Sequence, residues 1–331
     1  MQQSEIKLFI GGHNADVPLI KNTDVSYKNY LLKAGFTFCT DINKADAAVF
    51  IEMDGTELAK LKHEIPIILI RNEPIVVWPT NYESKLTQRV HKTIDVGQYS
   101  IQEGTFTPWP QDWTQILPEE DPISSRIEKV ALINGNKIGF IPGELYSLRR
   151  RCIFKVTTLD LYGAGWDLTL SRKFLIMAAE IVISLRNRFI PNIRSARFWF
   201  SRPSNFCGTP DSKFSVLRKY KYALVIENSK NYMSEKLFDA LFARNIPIYV
   251  GPNVELFGIP TELVVQVNPD FASVISGLDF AQKIDYEKWA SDVEIWLADP
   301  ATKQVWDSEN VYKRIVQDII QFLEVNLKNN S

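Results

Sequence analysis

The stretch Tyr220–Pro252, YKYALVIENSKNYMSEKLFDALFARNIPIYVGP, concentrates its polar residues where they could do chemistry. Tyr222 to Ile226 is a short apolar run of the kind that becomes a buried strand of a parallel sheet. Glu227, Asn228 and Ser229 follow at the end of that strand, where open α/β sheets bind their ligands. After a short loop, Ser234 is predicted to cap a helix whose first turn carries Glu235 and Lys236. Leu237, Ala240, Leu241 and Ile246 give it an apolar face, Asn245 and Pro247 stop it, and Ile248 to Val250 begins a second strand. Free N–H groups at the start of such a helix suit an anion. The plainer reading is a well-capped βαβ unit with Glu235 and Lys236 solvated.

The remaining elements must position this unit. Ile6 to Ile10 reads as a strand feeding the turn Gly11-Gly12, and Asp24 to Ala34 as a helix. Ala47 to Glu52 is a buried strand, Gly55 to His63 a helix, and Pro66 to Ile70 a strand ending at Arg71-Asn72-Glu73-Pro74. Gln98 to Glu128 is proline-rich, with two tryptophans and an acidic cluster, and reads as a linker. Ile138 to Ile141, Leu145 to Val156, Thr158 to Tyr162 and Ser171 to Asn187 then read as strand, helix, strand and helix. Asn310 to Leu327 is a final amphipathic helix. Short apolar strands alternating with helices imply parallel sheets covered on both faces.

Composition narrows the function. A chain of 331 residues with 45% hydrophobic and 23% charged residues is an ordinary globular protein long enough for two domains. Its formal charge of −1 offers no footprint for nucleic acid, which is not expected as a partner. The most lipid-like window, Phe174 to Leu185, is too short to span a bilayer and contains Glu180, so it reads as a core helix. Cys39, Cys152 and Cys207 are scattered and read as reduced, mostly buried thiols of a cytoplasmic protein. His13, His63 and His91 are scattered too, so no metal site is expected.

The string Glu227-Asn228-Ser229, then Tyr232-x-Ser234-Glu235-Lys236-Leu237, then Pro247-Ile248-Tyr249-x-Gly251 resembles the donor-site signature of the glycosyltransferase family 10 α1,3-fucosyltransferases. Ser234 stands where that family usually has Thr, and the loop from Asn228 to Tyr232 looks short. The resemblance extends less closely over Lys137–Gly165, and in the first part of the chain it rests mainly on Glu73-Pro74. It implies two Rossmann-like α/β domains facing across a cleft, the GT-B type. Their bounds are placed at 1–125 (acceptor side) and 126–305 (donor side), with 306–331 a C-terminal helix packing on the body. It also implies an inverting transfer of L-fucose from GDP-fucose to a glycan hydroxyl, with no cofactor required. A bacterial role in surface polysaccharide or lipopolysaccharide synthesis would fit, with no transmembrane segment and with peripheral membrane association allowed. Another nucleotide-sugar donor, or a binding module without catalysis, are the alternative readings.

A nucleotide-sugar donor gives up its sugar and releases a nucleoside diphosphate, and without a metal the charge of that leaving group must be met by fixed cations and helix N-termini. Lys236 is placed for this, and the resemblance picks Arg149 from the run Arg149-Arg150-Arg151. Three consecutive arginines on a helix point about 100° apart, so at most one or two can face a ligand; the plain alternative is a solvated helix face. The resemblance assigns Glu235 to the ribose hydroxyls and Tyr232 to the donor near its phosphates. Asn228 offers an amide, and Glu227 is either a donor contact or a structural cap of its strand. The family's general base is a glutamate close before a proline, which Glu73 matches; the alternative is a turn cap before Pro74. Trp78, Tyr82, Trp109 and Trp113 are candidate sugar platforms, of which one or two are expected to be core.

Overall fold

The computed structural model describes residues 6–13, 26–116, 125–192 and 196–328. The start of the expected helix at Asp24 and the acidic cluster of the linker lie outside these residues. In chain order the strands are β1 Lys7–Gly11, β2 Thr37–Cys39, β3 Ala47–Ile51, β4 Ile67–Arg71, β5 Lys92–Asp95, β6 Gln98–Ser100, β7 Thr105–Thr107, β8 Ile127–Ile133, β9 Leu159–Tyr162, β10 Tyr220–Ile226, β11 Ile246–Val250 and β12 Val265–Gln266. The helices are α1 Tyr27–Lys33, α2 Gly55–Ala59, α3 Ser84–Thr87, α4 Tyr146–Lys155, α5 Leu170–Arg186, α6 Lys213–Leu217, α7 Lys236–Phe242, α8 Phe271–Ala281, α9 Tyr286–Ala298, α10 Pro300–Trp306 and α11 Ser308–Lys328.

The chain divides into two compact units, residues 1–112 with 304–331, and residues 113–303. The boundary that the sequence places near 125 falls instead at Asp112 and Trp113, and the C-terminal helix belongs to the first unit.

In the first unit five parallel strands run in the order β2-β1-β3-β4-β5. All five residues of β3, AAVFI, are buried, as a strand covered on both faces requires. Alternate residues serve two cores. Val49 and Ile51 pack with Leu8, Ile68 and the α11 residues Val311, Ile315 and Ile319, whereas Ala48 and Phe50 pack with Phe9, Leu58 and Leu69. Two helix starts are fixed by side-chain caps: Ser26 Oγ accepts from Asn29 N at 3.1 Å, and Asp54 Oδ1 accepts from Thr56 N at 2.8 Å. The helix expected to run to His63 stops at Ala59.

The second unit repeats this winding, with five parallel strands in the order β12-β11-β10-β8-β9. Two expectations fail here. Ile138–Ile141 is not a strand but a buried irregular segment, and the strand that opens the unit is β8, earlier in the chain. The Phe174–Leu185 window is helical but not core: in α5 only Lys173 and Ser184 are buried. Of the three thiols, only Cys152 is buried; Cys207 is exposed. No helix among the described residues is long and apolar enough to cross a membrane.

Candidate functional site

Each sheet changes winding direction between its first strand and the strand of the next crossover, and ligands of such sheets bind outside the strand ends at that point. In the second unit the switch lies between β8 and β10. After β8 the chain runs through Asn134-Gly135-Asn136, and after β10 through Glu227-Asn228-Ser229. Gly163, at φ +130°, lets the end of β9 approach Asn134; a Cβ there would meet the Asn134 carbonyl oxygen at 2.3 Å.

Arg149 reaches this point from α4 and is buried. Its Nη2 donates to the carbonyls of Ile226 (2.6 Å) and Glu227 (3.1 Å) and to Asn228 Oδ1 (3.5 Å). Its Nε is buried without a hydrogen-bond partner. Burial depresses the guanidinium's affinity for its proton, and Tyr146, Glu227 and Glu144 act against that. The arginine run is therefore not a solvated face. Arg149 and Arg150 are both buried, Arg150 donating from Nε to the Arg197 carbonyl at 3.3 Å and from Nη1 to that of Lys137. Only Arg151 is exposed, stacked over Phe271 of α8.

Glu227 is wholly buried and organises the turn into α7. It accepts from Ser234 N at 3.0 Å and Ser234 Oγ at 2.7 Å, and its carboxylate lies 3.4 Å from Lys236 Nζ. The structural role left open for Glu227 is thus filled. Ser234 is not itself the N-cap; Glu235 holds that position, and Ser234 Oγ accepts from Lys236 N at 3.5 Å and from Lys236 Nζ at 2.7 Å. At the far end, Arg244 at φ +55° terminates the turn after α7, while Ile246 and Pro247 lie inside β11.

Glu235 and Asp239, one turn apart, share Lys213, at 3.7 Å and 2.5 Å. Burial acts to raise the Glu235 pKa, but the ammonium groups of Lys236 and Lys213 outweigh it and hold the carboxylate down at about 2. Burial and the Glu235 charge push Asp239 the other way, to about 6, against Lys213. The outcome is a half-exposed, firmly ionised carboxylate beside the Lys236 ammonium. Such a pair can accept hydroxyl hydrogens at one point and meet an anion at the next. Tyr232 is 1% exposed, so its ring is part of the core and not a surface for a donor.

The sequence motif Tyr249-x-Gly251 has a packing explanation. A Cβ on Gly251 would lie 2.3 Å from the Tyr249 hydroxyl, so the ring covers the bare glycine.

In the first unit the switch lies between β1 and β3. Gly12, at φ +109°, turns the chain against the end of β3, where a Cβ would lie 2.2 Å from the Ile51 carbonyl oxygen. The next residue, His13, stacks on Trp78 with ring centroids 4.1 Å apart. Trp78 is fixed in turn by Nε1 donating to the Met53 carbonyl at 3.1 Å. Tyr82 lies under the Arg71 guanidinium (4.4 Å), and its hydroxyl donates to the Glu73 carbonyl at 3.5 Å and accepts from Gln98 Nε2 at 3.1 Å. Arg71 is clamped by Asp95 through two bonds, one of them Nη2 to Oδ2 at 2.6 Å.

Glu52 is the group sequence reasoning missed. It is wholly buried, stands at φ +60°, and directly follows β3. Its Oε1 accepts the backbone N–H groups of Asn72 (2.6 Å) and Glu73 (3.0 Å), and its Oε2 accepts from Asn81 Nδ2. Asn81 Oδ1 accepts from Met53 N at 2.6 Å, closing the network. Burial, reinforced by the Glu73 charge and opposed by these hydrogen bonds, raises the Glu52 pKa to about 7. The available signal was its place after a fully apolar strand, the same logic that singled out Glu227. Glu73, Trp78 and Tyr82 gather at these strand ends. Trp109 does not: it packs on the core cluster that contains α11. Trp113 belongs to the second unit, against Phe242 at 5.3 Å. Among the described residues no three His, Cys, Asp or Glu side chains converge as metal ligands.

No family model matches the chain, and no curated protein does. Solved structures do. An α1,3-fucosyltransferase structure aligns over 98% of this chain and 92% of its own at TM-score 0.55 and 13% identity. An α1,3-fucosyltransferase structure with GDP-fucose aligns with the same coverage at TM-score 0.50 and 11% identity. A protein from Anabaena in complex with UDP and glucose aligns over 96% of this chain and all of its own (100%), at TM-score 0.52 and 10% identity. The fold is GT-B, built from two Rossmann-like units.

Proposed function

We propose that this protein is an inverting glycosyltransferase that moves L-fucose from GDP-fucose to a hydroxyl of a glycan acceptor. The observation that carries this reading is the network at the end of β10. There the Lys236 ammonium lies between the buried Glu227 and the ionised Glu235, three residues that stand in the order of the fucosyltransferase donor signature, and the buried Arg149 guanidinium holds the Glu227 main chain.

In this reading Lys236 meets the departing diphosphate directly. Arg149 holds the Glu227–Asn228 strand end in place and adds its charge to the same side. Glu235 accepts the ribose hydroxyls, and Asn228, fixed by Arg149, contacts the nucleotide. Glu73 takes the acceptor proton as the new bond forms, so displacement occurs in one step with inversion. Glu52 and Asn81 set the position of the Glu73 backbone. Trp78, stacked with His13, supplies a flat face for an acceptor sugar. Neither a metal nor another cofactor takes part, and the setting is the cytoplasmic synthesis of bacterial surface polysaccharide or lipopolysaccharide.

The second reading keeps the chemistry and changes the donor; the likeness to a protein solved with UDP and glucose favours it. Thermal shifts with a panel of nucleotide sugars, followed by nucleotide release with each, decide between them. Stabilisation and turnover with GDP-fucose alone support the proposal. A preference for a uridine donor favours the second reading, and stabilisation without release by any donor makes the protein a binding module.

A further inference from the structure

Helix α5 is apolar on nearly every side, a composition that normally marks a helix buried all round. Here only one stripe is covered. Met177 and Ile181 pack with Ile138, Phe140 and Trp199, and the Trp199 indole donates to the Lys173 carbonyl at 3.0 Å. The opposite side is open: Leu175 is 71% exposed and Val182 63%, while Phe174, on the flank, packs one side of its ring on Phe200. Ala178 and Ala179 lie exposed between them. A contiguous apolar patch of this kind on a protein surface marks an interaction site.

The charges around this patch point to its partner. Residues 170–202 hold seven basic residues and one acidic residue in a chain whose formal net charge is −1. Arg172 and Arg186 are exposed, one near each end of the helix, on the same side as Leu175 and Val182 at 100° per residue. Arg188 and Arg197 follow, also exposed. The single acid, Glu180, is half-buried on the inner side, where Lys137 faces it. An apolar strip with cations at both ends and its acid turned inward suits the boundary between anionic headgroups and acyl chains. A second copy of the chain would bring like charges together along the same strip.

We propose that α5 is an interfacial anchor that lies flat on an anionic lipid bilayer, its Leu175–Val182 side in the acyl boundary and Arg172 and Arg186 on the headgroups. At 17 residues the helix is about 25 Å long, too short to cross a bilayer and suited to lying in its plane. The inference does not depend on which sugar is transferred.

The test is flotation of the full chain with vesicles of phosphatidylglycerol and phosphatidylcholine, and with phosphatidylcholine alone, at low and high salt. The wild type should float with the anionic vesicles and be partly released by salt. Arg172→Glu with Arg186→Glu should lower that partitioning roughly tenfold or more. Leu175→Glu with Val182→Glu should abolish it, with an unchanged melting temperature because neither side chain is in a core. Flotation that survives the Leu175/Val182 pair overturns the proposal, as does equal, salt-independent binding to neutral vesicles. Absence of flotation also overturns it; if sedimentation then shows a dimer that the same pair converts to monomer, the face is an interface between copies.

Discussion

The Glu52 carboxylate accepts the backbone N–H of Glu73 at 3.0 Å, so a buried acid holds the main chain of a partly exposed one. Glu73, Asn81, Tyr27 and Tyr82 are the polar or titratable side chains that bear on it. Because the folded-state pKa is raised to about 7, the folded state favours neutral Glu52. This contribution to stability is fully present below the unfolded carboxylate value of about 4 and is lost as pH rises through about 7. Glu52→Gln should flatten the fall in melting temperature between about pH 4 and 7. It should also cut sugar transfer by roughly 10- to 100-fold through misplacement of Glu73. Combining it with Asn81→Asp gives the introduced amide a carboxylate to donate to, so transfer should recover. An unchanged pH slope in the single variant would show that Glu52 does not titrate there.

Glu73→Gln keeps the shape of the side chain and removes its basicity. Transfer should drop by roughly 10²–10⁴, while GDP affinity by calorimetry stays near that of the wild type. Near-normal transfer would move the base elsewhere. Early melting would make Glu73 structural.

Lys236→Ala and Arg149→Ala should both weaken GDP, for different reasons. Lys236 carries a partly exposed ammonium that also pairs with the buried Glu227 carboxylate, so its loss should weaken binding and leave that carboxylate without its cation, lowering the melting temperature as well. Arg149 also ties α4 to the end of β10, so its loss should weaken GDP and lower the melting temperature together. Arg150→Ala should lower the melting temperature and leave GDP affinity intact, since its bonds run to the Lys137 and Arg197 carbonyls. Calorimetric titration of GDP alongside thermal melts separates Arg150→Ala from the other two; unchanged affinity in both Lys236→Ala and Arg149→Ala would sink the assignment.

Gly251→Ala should destabilise the second unit by about 1–3 kcal/mol through overpacking against Tyr249. Denaturant titration measures it. A neutral result would mean that the ring can move aside, and that the glycine answers to something other than packing.

Much of this could be read from residue order. The apolar run of β10, its polar exit and the following α7 and β11 stand close to where patterning put them, because a doubly covered strand leaves a continuous hydrophobic signal. The buried state of Arg150 and Tyr232 could not be read, since charge and aromaticity do not reveal which side of an element faces inward. Glu52 was hidden for a related reason: what matters about it is the pair of N–H groups about twenty residues away that it bonds. The α5 window misled because apolar composition was equated with burial, whereas its outer side has no covering element among the described residues.

The core of the first unit joins Leu8 and Val49 to Val311, Ile315 and Ile319, with the whole second unit between them in the chain. During synthesis the second unit is therefore complete and free to fold while the first still lacks a wall of its interior. The β1–β5 sheet must wait at the ribosome with one apolar face open until α11 emerges. Chaperone demand should consequently fall on the part of the protein that is made first and finished last.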